Sequence, residues 1–81
     1  MFYVYIRLSL NYPKTYVGHT NNLERRLIEH NSGYGIFSKR YCPWKIIYKE
    51  IYLSEIESVM REKYFKSAAG RRWMRKNLFN N

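Results

Sequence analysis

Residues 2–8 alternate strictly: Phe2, Val4, Ile6 and Leu8 fall on one side of an extended chain, and Tyr3, Tyr5 and Arg7 on the other. Helix faces repeat every 3.6 residues, so this period of two fixes the start of the chain as a β-strand, read here with one buried face. Asn11-Tyr12-Pro13-Lys14 is turn chemistry, and Thr15 to His19 is a second short strand, so the two form an antiparallel hairpin. Val17 belongs to one face of that second strand, Tyr16 and Gly18 to the other.

Thr20-Asn21-Asn22 supplies helix-capping residues; with Asn21 as N-cap, Glu24 stands at the third helical position, an approximate capping box. That helix extends to about Asn31. Residues 32–43 read as a glycine-containing loop ending at Pro43, a length that often accompanies function. Trp44 to Tyr52 is rich in isoleucine and tyrosine and reads as a third strand. Ser54, with Glu57 three residues on, caps a second helix running to about Ser67. Gly70 is expected to break it, leaving Arg71 to about Asn77 as a short basic helix. The expected fold is α+β in the order β-β-α-β-α-α, a three-stranded antiparallel sheet flanked by helices, with residues 1–81 forming one domain.

Composition narrows the chemistry. All six acids are glutamates, which excludes centres built on paired aspartates, among them most two-metal phosphodiesterase sites. One cysteine, Cys42, and two histidines cannot assemble a Cys/His zinc cluster or an internal disulfide. No stretch approaches the roughly 20 apolar residues of a membrane span, and the first residues lack the basic and apolar regions of a signal peptide, so a cytoplasmic protein with no membrane partner is expected. The net charge is +9, and residues 61–81 carry seven basic side chains against one acid, Glu62. Lys39-Arg40 is a second basic group. Such a small basic chain attracts polyanions, nucleic acid foremost; the plainer reading is a basic protein that is merely soluble or sits on ribosomal RNA.

On a helical projection of residues 22–31, Leu23 and Leu27 define the buried stripe, with His30 about 20° and Arg26 about 60° to one side of it. Arg26 and His30 thus flank the core seam one turn apart, while Arg25 and Glu29 face away. An arginine at a core margin invites an anion or a carboxylate; a snorkelling surface arginine is the ordinary alternative. The next helix shows Ile56, Val59, Met60 and Tyr64 as its apolar stripe, with Glu62 at its edge and Lys66 four residues on, a spacing that also suits a simple surface ion pair.

Taken together, Tyr3-Val4-Tyr5 and Tyr16-Val17-Gly18 resemble the paired signature of the GIY-YIG nuclease superfamily, followed in order by Arg26, His30 and Glu62 at that family's helix arginine, Tyr-or-His and glutamate positions. The stretch Asn22 to Gly33 is similar to small standalone members, themselves like the catalytic domain of the bacterial excision-repair nuclease. Two departures are Tyr3, where the first triad usually opens with glycine, and His19, where a basic residue often follows the second triad.

The resemblance implies metal-assisted hydrolysis of phosphodiesters, DNA being the expected partner. Glu62 would hold one Mg²⁺ or Mn²⁺, and Tyr16 would act as general base, which requires nearby cations because a phenol ordinarily titrates near 10. Tyr5 would position the nucleophile or phosphate, Arg26 would bind the phosphate, and His30 would position an oxygen or relay a proton. Gly18 would leave space for substrate and His19 would border its approach. Lys39, Arg40, Arg71, Arg72, Arg75 and Lys76 would hold flanking backbone, and Tyr34, Phe37 or Tyr41 would stack on an exposed base. The competing expectations are a weak or inactive nucleic-acid-binding module on the same scaffold, and a protein-interaction subunit.

Overall fold

The structure, a computed structural model, describes residues 1–33 and 35–79. Its elements are β1 (Phe2–Ser9), β2 (Thr15–Thr20), α1 (Leu23–Asn31), α2 (Ile36–Tyr41), β3 (Trp44–Tyr52), α3 (Glu55–Lys66) and α4 (Ala68–Asn77). The three strands form one antiparallel sheet in the order β2-β1-β3, the α+β architecture expected from the sequence.

The middle position of β1 changes the reading of its alternation. Instead of one buried face it has two: Val4 and Ile6 are fully buried, and so are Tyr5 and Arg7, each 1% exposed. Residues paired directly across an antiparallel ladder share a face. Ile6 opposite Val17 therefore looks one way, and Tyr5 opposite Gly18 and Arg7 opposite Tyr16 look the other. The first face carries the apolar core, in which Val4, Ile6 and Val17 meet Phe65 of α3 and Met74 of α4. The second lies under α1 and α2 and is polar. A strand paired on both edges and covered on both faces has no side left for water.

The helix α3 does not use the stripe its apolar residues suggest. Ile56 and Met60 are 73% and 65% exposed, whereas Ser58 and Phe65 are fully buried. Ser58 allows close approach because it is small and its hydroxyl is satisfied within the helix, donating to the Glu55 carbonyl at 2.7 Å. The inward face then reads Ser58, Glu62, Phe65, and Glu62 is carried toward the sheet. Away from β2, α3 is tied to β3 through Glu50. Arg61 grips it with two charge-assisted bonds, Nε at 2.8 Å and Nη2 at 3.2 Å, while the Tyr48 and Tyr52 hydroxyls donate to the same carboxylate at 2.6 and 2.7 Å. Burial pushes the Glu50 carboxyl up, but these bonds outweigh it and hold it below the usual range.

Three local expectations need correction. The N-cap of α1 is Asn22, not Asn21: its side chain accepts from the Arg25 amide at 3.0 Å. Residues 32–43 contain a short helix, α2, rather than loop throughout; Gly33 and Gly35, at φ of +85° and +89°, turn the chain out of α1 and into it. Finally, the break between α3 and α4 is Ser67, whose hydroxyl accepts from the Gly70 amide at 3.3 Å and caps α4. Gly70 lies inside α4, where a Cβ would meet the Tyr64 carbonyl oxygen at 2.1 Å and Phe65 Cα at 2.4 Å. Ser54 caps α3 as expected, accepting from the Glu57 amide at 3.1 Å.

The close approach of the two helices at Gly70 generates a test. Gly70→Ala should destabilise the protein by about 2 kcal/mol or more, read by urea denaturation, because backbone rather than a movable side chain stands in the way.

Candidate active site

The polar face of the sheet gathers four of the sequence-predicted residues. Tyr5 Oη and His30 Nε2 are hydrogen-bonded at 3.1 Å. The Tyr16 and His30 rings lie 6.1 Å apart between centroids. Arg26, one turn before His30 on α1, brings its guanidinium toward Tyr5 and pairs with Glu29 at 3.3 Å, so the carboxylate that an arginine in this place invites comes from its own helix. The Arg26 Nε is buried without a hydrogen-bond partner among the described residues, while the side chain as a whole is 40% exposed.

Gly18 has a more specific task than leaving space for a ligand. A Cβ there would lie 2.5 Å from the Tyr5 hydroxyl oxygen and 2.7 Å from its Cζ. The space a side chain would occupy is filled by the end of the Tyr5 ring, so glycine on β2 is what lets Tyr5 of β1 lie flat across its neighbour and reach His30.

Glu62 enters from the opposite face of the sheet. His19, whose ladder partner is Val4, hydrogen-bonds through Nδ1 to Glu62 Oε1, and Lys66 donates to Oε2 at 2.7 Å. Burial pushes the Glu62 carboxyl up, but the bonds from Lys66 and His19 outweigh it and hold it below the ordinary range. Lys66 joins the two groups. Its ammonium also stands 5.4 Å from the centre of the Tyr16 ring. Because β2 is an edge strand, a side chain from α3 can reach around it, and Tyr16, Glu62 and Lys66 converge at that edge.

Three contributors escape sequence reasoning. The Arg7 guanidinium is sandwiched between the Tyr16 and Trp44 rings, with its carbon 4.3 and 4.2 Å from the two centroids. Ser38, on α2, accepts from Arg7 Nη2 at 3.1 Å and hydrogen-bonds His30 Nδ1 at 3.1 Å. Trp44 fixes Ser38 by donating its indole N–H to the Ser38 carbonyl at 3.0 Å. A charged residue in mid-strand on the face of Tyr5 was the available signal for Arg7; Ser38 had none, since its helix was unseen.

Electrostatics sort the roles. Burial, reinforced by the cations Arg7 and Arg26, lowers His30 to about 4, so its imidazole is neutral near physiological pH. Burial raises the Tyr5 phenol against the opposing pull of Arg26. Arg7 is lowered by burial to about 10 and stays cationic.

The basic residues divide into separate patches. Arg71 joins Lys14, Tyr16 and Lys66 in a groove of about 750 Å³ along the β2 edge, floored by Val17, Phe65 and Met74. Arg72, Arg75 and Lys76 form a shallower depression with Phe79 on α4. Lys39 and Arg40 are exposed on α2. Phe37 stacks on Trp44 at 5.6 Å, and Tyr41 packs against Phe37 at 4.9 Å; Tyr34 lies outside the described residues.

On a three-stranded α+β scaffold, two tyrosine-bearing strands thus bring together an arginine, a histidine and, at the β2 edge, one carboxylate. The family model of the GIY-YIG catalytic domain matches residues 1–77, and the chain belongs to the GIY-YIG family. Among curated proteins it is similar to a UPF0213 protein of Bacillus licheniformis, 38% identical over 79% of this chain and 66% of that protein. A UPF0213 protein of Clostridium perfringens is 40% identical over 82% of this chain and 71% of its own length, and one of Bacillus pumilus is 36% identical over 75% and 58%. The match thus spans roughly two thirds of the length of these relatives. No solved structure matches. Among the described residues, no helix is long and apolar enough to cross a membrane.

The buried neutral histidine yields a pH dependence. Below the unfolded-state value of 6.5 the unfolded chain binds a proton that the folded protein refuses until about 4. Stability should therefore fall by up to roughly 3 kcal/mol as pH drops through this window, and His30→Gln should flatten that part of the profile, measured by urea denaturation across pH.

Proposed function

We propose that this protein is a metal-dependent nuclease that hydrolyses phosphodiester bonds in nucleic acid, with DNA as substrate and structure-selective nicking in repair or recombination as its use. Membership of the GIY-YIG family implies nuclease-like chemistry in general terms. The observation that carries the reading is the convergence of Tyr16, Glu62 and Lys66 at the edge of β2, beside the Tyr5–His30–Arg26 cluster. Residues 1–81 act on this reading as one cytoplasmic domain.

GIY-YIG nucleases generally use a divalent cation. Among the described residues no group of three or more His, Cys, Asp or Glu side chains could hold one. The donor set nevertheless fits Mg²⁺ or Mn²⁺ of the kind bound by one carboxylate and completed by water and substrate phosphate. Glu62 supplies that carboxylate, and the half-exposed Lys66 can leave Oε2 to admit the ion. When bound, the cation would polarise a phosphate oxygen and stabilise the leaving oxyanion.

The chain's own side chains supply the rest. Arg26 has a partly exposed guanidinium beside Tyr5, suited to a nonbridging phosphate oxygen. Tyr16 is the residue from which a proton acceptor for water can come, its ring flanked by Arg7 and Lys66. Tyr5, with its proton held more firmly by burial, positions rather than abstracts, and neutral His30 fixes the Tyr5 hydroxyl. The groove past Lys14, Lys66 and Arg71 gives flanking backbone a cationic path beginning at Tyr16. Arg72, Arg75 and Lys76 offer a second basic contact on α4, and Lys39 and Arg40 a third on α2.

Both oxygens of Glu62 are already engaged, by His19 and Lys66. That favours a second reading, a nucleic-acid-binding module with weak or no turnover.

Nicking of branched, single-stranded and duplex DNA separates the two. Glu62→Ala and Arg26→Ala should each lower Mg²⁺-dependent cutting by at least about a hundredfold with the fold retained. Cutting at parental rates by both variants would reject the site, and binding without cleavage by the parent in Mg²⁺ and Mn²⁺ would favour the binding module. Arg71→Ala combined with Arg72→Ala should reduce the salt slope of duplex binding by up to about 2, since each phosphate contact contributes about 0.9.

A further inference from the structure

Arg7 is the most deeply buried charge among the described residues, and stability does not account for it. Its Nε and Nη1 are buried and have no hydrogen-bond partner among those residues. Leaving two buried donors unmet costs free energy of the same order as stacking on two aromatic faces returns. A methionine or leucine would fill the slot between Tyr16 and Trp44 with no such cost. What neither of those side chains could do there is donate to Ser38.

That donation has a direction. Guanidinium groups only donate, so at 3.1 Å from Arg7 Nη2 the Ser38 oxygen must accept. With a lone pair committed and a full positive charge against it, the Ser38 hydroxyl is a poor acceptor for a second donor and a strengthened donor itself. Its neighbour at 3.1 Å is His30 Nδ1. A donated proton there makes Nδ1 the acceptor nitrogen and leaves the ring hydrogen of the neutral imidazole on Nε2, which lies 3.1 Å from Tyr5 Oη. Nε2–H then donates to the Tyr5 oxygen, and the Tyr5 hydroxyl proton turns away from the histidine.

We propose that Arg7 is a positioning residue that acts through Ser38 to fix His30 as its Nε2–H tautomer, so that the Tyr5 oxygen accepts from His30 and the Tyr5 hydroxyl proton is directed away from it. The consequence for turnover rests on the nuclease reading; the tautomer does not. In the opposite arrangement Tyr5 would donate to His30, and its oxygen rather than its proton would face the rest of the site. The chain Arg7–Ser38–His30–Tyr5 spans β1, α2, α1 and β1 again.

Nitrogen NMR of isotope-labelled protein at neutral pH reads the tautomer directly, His30 being assigned by comparison with His19→Gln. The parent should show a pyridine-like Nδ1 and a pyrrole-like Nε2. Ser38→Ala and Arg7→Met should shift His30 toward the Nδ1–H form or a mixture of both, and Ser38→Thr, which keeps the hydroxyl, should restore the parental pattern. A parent already in the Nδ1–H form, or a pattern unmoved in Ser38→Ala or in Arg7→Met, overturns the proposal. If Arg7→Met does not fold, Arg7→Leu is read in its place, with the same two outcomes. Where cutting is measurable, Ser38→Ala should lower kcat on the order of tenfold with KM little changed, and Ser38→Thr should recover it. A shifted tautomer with cutting unaffected would overturn the role of Tyr5 in turnover while leaving the Arg7 relay in place.

Discussion

The confinement of β1 on all sides governs the rest of the molecule. Its backbone is committed to β2 on one edge and β3 on the other, so its side chains are the only groups free to differentiate the two faces. One face received Val4 and Ile6 and became the apolar core with Phe65 and Met74. The other received Tyr5 and Arg7 and became a buried polar layer beneath α1 and α2. In that layer every contact carries electrostatic weight, because little water is present to screen it. A neutral histidine, a retained phenol proton and a stacked guanidinium are three results of the same exclusion of solvent.

The two halves of the candidate site belong to different faces, and only the outer strand lets them meet. Tyr16 projects from the polar side of β2, His19 from the other side, and the end of α3 passes close enough for Lys66 to touch both Glu62 and the Tyr16 ring. Had β1 been the edge and β2 the centre, the carboxylate and the tyrosines would be separated by the thickness of a sheet. Strand order is thus as much a part of the site as the side chains are.

Most of the scaffold was legible because its signals are local. Alternation announced β1, Ser54 with Glu57 announced the start of α3, and the isoleucine- and tyrosine-rich run from Trp44 marked β3 to its observed ends. The site signature in β1 and β2 could be read from residue types, and Tyr5, Tyr16 and His30 do come together. What stayed hidden depends on contacts distant in sequence. The six residues of α2 are too few to display a period, and the helix is held by Phe37 and Ser38 packing on Trp44. Apolar content misassigned the inner face of α3, because a serine that satisfies its own hydroxyl packs closer than an isoleucine. Gly70 looked like a breaker, when its missing side chain serves helix-to-helix contact. Arg7 could be placed on the correct face, but nothing in the sequence says that this face is buried.

The contact between Gly18 and Tyr5 has a bearing on how this fold can change. A single absent methyl group makes room for a phenol, so neither position is free to vary by itself. Any side chain at residue 18 calls for a shorter one at residue 5, and a shorter one at residue 5 leaves a hole above residue 18. The pair is therefore a mutational lock: paths between related sequences must pass through both positions together or through an intermediate that is damaged at one of them.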